Sequence, residues 1–135
     1  GMLLAAVVFL FSVGYYVLIW QPLSEQAIQD ALAQHKRVFI DVTAEWCITC
    51  KVNKYNVLQR EEIQDALQQP DVVALRGDWT LPADDITNFL KKRGQVAVPF
   101  NQIYGPGLPQ GQSLPTLLTR DAVLQTLRDA KGVTP

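Results

Sequence analysis

Soft metal ligands are scarce in this chain: 135 residues hold two cysteines, one histidine and one methionine. A zinc site needs about four ligands, and after Cys47 and Cys50 only His35 is a conventional candidate. A resident metal is therefore not expected, although zinc shared between two chains or Cu(I) on the two thiolates stays open as an alternative. An excess of one charge is also missing, since 12 Lys and Arg stand against 13 Asp and Glu. Without a basic stripe, nucleic acid is not an expected partner. No internal repeat or low-complexity linker divides the chain, and its length suits one compact domain.

Charge is wholly absent from Met2 to Trp20 (MLLAAVVFLFSVGYYVLIW). As a helix these residues would span about 28 Å, close to the hydrocarbon thickness of a bilayer. Tyr15, Tyr16 and Trp20 lie where an interfacial aromatic belt would sit. A cleaved signal peptide fits less well, for no basic n-region precedes the stretch and no small-x-small site follows it. The competing reading is a greasy core helix or a segment packed on a neighbouring chain. We expect residues 1–20 to form a transmembrane segment and residues 21–135 a separate domain. Gly1 before Met2 is read as a remnant of tag removal, which leaves room for this span to be the last of several. The first basic residues after it are Lys36 and Arg37, so the positive-inside rule leans toward a domain outside the cytoplasm.

Both cysteines fall in Trp46-Cys47-Ile48-Thr49-Cys50-Lys51, directly after the apolar run Val38–Thr43. A strand followed by a helix that opens on Cys-x-x-Cys builds a reversible dithiol. Side chains at i and i+3 are neighbours on a helix, which lets the two Cα atoms approach to disulfide distance. Unpaired N–H groups and the positive end of the helix dipole favour a thiolate at the first cysteine. Cys47 is then the attacking sulfur and Cys50 the resolving one. A structural bridge would close too small a loop to constrain the unfolded chain much.

The remaining pattern alternates helices and strands. Ser24 is expected to cap a helix to about Gln34, with Leu23 stapled onto Ile28. Val38–Thr43 reads as a strand buried on both faces, Cys47 to about Leu58 as a helix, and Glu61–Leu67 as a second short one. Val72–Leu75 is a strand, Thr80 a helix cap, and Gly94 the end of that helix. Phe100–Tyr104 and Leu114–Leu118 are strands, the latter at an edge because of Pro115. Thr119 caps a final helix that Gly132 ends. The order describes an α/β protein with a central sheet and helices on both faces.

The CxxC helix after the first long strand, with Val98-Pro99 opening a later one, resembles the thioredoxin superfamily. That resemblance implies that Pro99 is the cis-proline facing the dithiol. The stretch Phe39–Asn53 is similar to the C-terminal periplasmic domain of the DsbD/ScsB transmembrane reductases. So are Gly77-Asp78-Trp79-Thr80, the Val98-Pro99 loop with Tyr104-Gly105-Pro106, and Leu114–Thr119. The resemblance implies a thioredoxin-like fold and protein-disulfide reductase activity, with the Cys47–Cys50 disulfide as redox group and no other cofactor. It also implies an upstream membrane dithiol as donor, periplasmic thioredoxin-like or disulfide-bonded proteins as acceptors, and a bacterial inner-membrane location with the domain in the periplasm. Trp46, Val98 and Pro99 are expected to shape the substrate-binding face, though Trp46 reads equally as core packing. Asp41 matches the family's buried acid and would take a proton from Cys50; its other reading is a strand-end residue bonded to backbone. Lys54 departs from the family, where many relatives carry an acid.

Ile48-Thr49 offers no histidine to stabilise a thiolate. The pair should therefore be less oxidising than DsbA, at about −120 mV, and act as reductant or relay. A membrane-tethered copper module and a redox-inert adaptor are the alternative functions.

Overall fold

Alternating side chains on one central strand decide how this molecule is layered. In the computed structural model, which describes residues 18–132, strand β2 (Arg37–Thr43) sends Val38, Ile40 and Val42 to one face and Phe39 and Asp41 to the other. Strand β3 (Val72–Asp78) pairs with β2 in parallel, and β1, only Gln21–Pro22, adds in parallel to the outer side of β3. On the other side β4 (Phe100–Gly105) runs antiparallel to β2, and β5 (Leu108–Ser113) antiparallel to β4. The mixed sheet has the order β1-β3-β2-β4-β5.

Helices cover both faces. Helix α1 (Glu25–Ala33) and α4 (Asp84–Lys92) bury Ile28, Ala31, Ile86, Phe89 and Leu90 against Val38, Ile40, Val42 and Leu75. On the opposite face lie α2 (Ile48–Asn53), a π-helical turn at Lys54–Leu58, α3 (Glu61–Leu67) and α5 (Arg120–Lys131). Phe39 and Ile103 are fully buried there beneath Ile63, Leu67, Val123 and Leu127. Burying each such side chain contributes roughly 1.5–3 kcal/mol.

The termini of the helices follow their local chemistry. Ser24 and Thr119 accept from Ala27 and Ala122 backbone N–H groups, as expected of N-caps. Gly94 ends α4 with φ +70°, and the Gln95 N–H reaches back to the Leu90 carbonyl.

Three sequence expectations need correction. The edge strand is Leu108–Ser113, not Leu114–Leu118, which is a loop. Helix α4 starts after Ala83, and Thr80 is no cap, because its hydroxyl oxygen accepts from the Glu45 N–H and not from a helix N–H. The helix expected from Cys47 to Leu58 changes from α to π at Lys54.

Most of the expected transmembrane segment lies outside the described residues. Of its end, Leu18 and Trp20 are half-buried against the core, and the Trp20 ring sits 6.0 Å from that of Phe39. Among the described residues no helix is long and apolar enough to cross a membrane.

Candidate functional site

Strand β2 ends at Thr43, the chain turns through Ala44–Trp46, and α2 begins at once. Cys47 is the N-cap of α2, and its sulfur accepts from the Cys50 N–H at 3.1 Å. The two sulfurs are joined as a disulfide with Cα atoms 5.3 Å apart. Both cysteines are largely covered, packed with Ala44 and flanked by Val98. The Val98–Pro99 peptide is cis, and Pro99 is half-buried at the entry to β4.

Thr80 fixes the turn in front of the disulfide. Its hydroxyl accepts from the Glu45 N–H and its carbonyl from the Trp46 indole, at 2.9 and 3.0 Å. It also donates to Asp78, holding that carboxyl below the usual range. Trp46, held at its nitrogen, still leaves 61% of its surface exposed, so it is not a core residue. With Trp79, Pro82, Val96, Ala97 and Val98 it lines an apolar groove of about 450 Å³ beside the disulfide. Ile48, exposed next to Cys47, extends the apolar surface.

Behind the disulfide lies a second cavity of about 240 Å³, with opposite character. Asp41, Cys50, Lys51, Lys54, Arg76 and Asp78 are among its lining residues. Asp41 is buried on the α2 face of β2; Arg76 donates to its Oδ2 and Asn101 to its Oδ1, each at 2.9 Å. Burial raises the Asp41 pKa, opposed by the charge of Arg76, by the Asn101 and Arg76 hydrogen bonds and by Lys54. The carboxyl is thus not merely a backbone ligand at a strand end; it shares a cavity with Cys50.

Three contributors escaped the sequence reading. Arg76 and Asn101 become neighbours of Asp41 only through strand register, Asp41 standing opposite both. Asn53, three residues after Cys50, is buried and clamps the loop before α5, donating to the Thr116 carbonyl and accepting from the Leu118 N–H, both at 2.9 Å. An arginine ending an apolar strand and an asparagine inside a buried one were the available signals. His35 is exposed at the end of α1. Among the described residues no group of three or more His, Cys, Asp or Glu side chains could hold a metal.

A mixed sheet with helices on both faces, a CxxC disulfide at a helix mouth and a cis-proline beside it define a thioredoxin-type fold. The family model described as "Thioredoxin-like" matches residues 19–106, and the chain belongs to that family. Its structure is similar to the C-terminal domain of DsbD from Neisseria meningitidis in the reduced form. The TM-score is 0.62 at 22% identity, covering 78% of this chain and 92% of that one. In sequence it is 35% identical over 66 residues to the thiol:disulfide interchange protein DsbD of Pseudomonas fluorescens, which is 49% of this chain and 11% of that protein. A 30-residue stretch, 22% of this chain, is 90% identical to the putative type II secretion system M-type protein YghD of Escherichia coli and covers 17% of it. The chain therefore matches only a small part of either curated relative's length.

Proposed function

We propose that this chain is a protein-disulfide reductase that relays two electrons from a membrane dithiol to periplasmic disulfide substrates through Cys47 and Cys50. The observation that carries this reading is the placement of the pair at the mouth of α2, between an apolar groove and a cavity containing a buried carboxyl. In the reduced form the Cys47 thiolate attacks a substrate disulfide, forming a mixed disulfide and releasing one substrate thiolate. Cys50 then gives its proton to Asp41 and attacks the Cys47 sulfur, closing the Cys47–Cys50 bond and expelling the second substrate thiolate. Asp41 returns the proton to the departing sulfur. An upstream dithiol restores the reduced pair by the same exchange in reverse.

The pair itself is the redox group. Trp46, Val98 and Pro99 form the face on which substrate proteins dock, its apolar surface suited to an unfolded or loop segment around a disulfide. The similarity to DsbD supports a bacterial inner-membrane setting, with the apolar stretch before Leu18 in the bilayer and the domain, on which Leu18 and Trp20 pack, in the periplasm. Equilibration with glutathione tests the direction of flow. We expect a potential well below that of DsbA, about −120 mV, because Ile48-Thr49 supplies no cation to hold a thiolate. A value as high as DsbA's would reverse the reading to an oxidant.

A further inference from the structure

Strand β3 is apolar until Arg76, whose side chain emerges on the same face as Asp41, its register partner. Arg76 Nε and Nη2 both lie 2.9 Å from Asp41 Oδ2, and its side chain is only 28% exposed. Its guanidinium carbon stands 3.9 Å from the centre of the Trp20 ring, and Trp20 rests on Phe39. The arginine is therefore held from two sides, by an aromatic face and by a carboxylate. Asn101 occupies the other carboxylate oxygen. The charged groups facing Asp41 are Arg76 from β3 and Lys54 from the π-helical turn, with Glu45, Lys51 and Asp78 further along the same cavity wall.

Resting on the reading of Asp41 as proton acceptor, we propose that Arg76 is a positioning residue for thiol exchange, aiming the Asp41 carboxylate into the Cys50 cavity while Trp20 holds the guanidinium in place. The step it serves is resolution of the mixed disulfide. There the Cys50 thiol proton passes to Asp41, the Cys50–Cys47 bond forms, and the bond from Cys47 to substrate breaks. Two electrons leave the protein dithiol and reduce the substrate disulfide. Arg76 exchanges no proton in this sequence. Its fork fixes one oxygen as acceptor of its own bonds and keeps an opposite charge beside the carboxylate. Because Trp20 belongs to the segment leading into the domain, that segment directly touches the arginine that holds Asp41.

The test follows the lifetime of the Cys47–glutathione mixed disulfide, using the reduced full chain, oxidised glutathione, acid quenching and mass spectrometry over a range of pH. Removing the cation in Arg76→Gln disfavours the Asp41 carboxylate. The midpoint of resolution should move up by about one pH unit or more, with mixed disulfide lasting about tenfold longer below it. Arg76→Lys should recover much of the shift, and Trp20→Ala should move the midpoint in the same direction by less. In an Asp41→Asn background, Arg76→Gln should add nothing. An unmoved midpoint in Arg76→Gln, with Asp41→Asn still flattening the profile, overturns the role of Arg76 and leaves the proton acceptor standing. A profile indifferent to Asp41→Asn instead overturns the acceptor on which the inference rests. Should Arg76→Gln fail to fold, Trp20→Ala carries the test, and an unmoved midpoint there counts against the proposal.

Discussion

The Asp41 carboxyl lies between burial, which raises its pKa, and the Arg76 cation, which opposes that rise. Over the window from the ordinary carboxylate range up to this raised value, the native state holds a proton that the unfolded chain has lost. Native stability then falls as pH increases through that window. Asp41→Asn removes the titration, so the variant should gain stability relative to wild type with rising pH across the same window. Urea unfolding of the oxidised proteins at several pH values measures this; a difference that stays constant with pH would show that Asp41 is not shifted. The carboxyl so placed is unfavourable to the fold, and the proposed mechanism gives it the Cys50 proton to accept.

At the scale of elements, the active-site helix is tied to the rest of the molecule by Asn53, whose side chain bonds the Thr116 carbonyl and the Leu118 N–H. Asn53→Ala leaves both backbone groups unsatisfied and should cost about 2 kcal/mol in unfolding free energy. Hydrogen exchange at the Leu118 amide should accelerate ahead of its neighbours in α5; unchanged protection there would mean that the clamp is dispensable. The same contact explains why Leu114–Leu118 is a loop and not the edge strand. Leu114, Leu117 and Leu118 suggest a strand, yet Asn53 takes the Thr116 carbonyl and the Leu118 N–H. The true strand, Leu108–Ser113, carries Pro109, Gly111 and two glutamines, because an outer edge has little to bury. Where side chains meet a core directly, as in β2, α1 and α4, the pattern was legible. The cysteine pair was legible too, being local in sequence. Asp41's partners were not, since Arg76 and Asn101 reach it only across strands. Thr80 has the sequence of a cap, but its hydroxyl donates to Asp78 and accepts from the Glu45 N–H, contacts that only the fold supplies.

For the molecule as a whole, the disulfide sits where two unlike surfaces meet. The groove lined by Trp46, Trp79 and Val96 faces solvent with apolar walls, while the cavity behind Cys50 is lined by charged residues. In the proposed mechanism substrate docks at the first surface and the Cys50 proton moves in the second. Val96 is largely exposed, so Val96→Asp should leave folding intact while repelling an apolar segment. We expect KM for insulin reduction to rise about tenfold, with less than about twofold change in the rate with oxidised glutathione. Equal loss with both substrates would place the effect on the thiols and not on docking. The end of the apolar N-terminal stretch packs on this same body through Leu18 and Trp20.

The central claim is that Cys47 meets the substrate and Cys50 releases it. Trapping with the Cys50→Ser and Cys47→Ser variants, incubated with a disulfide-bonded substrate and analysed by non-reducing electrophoresis and mass spectrometry, tests it most directly. Cys50→Ser should accumulate a stable mixed disulfide through Cys47, and Cys47→Ser should accumulate little. Capture through Cys50 alone, or turnover that persists without either sulfur, would contradict the account.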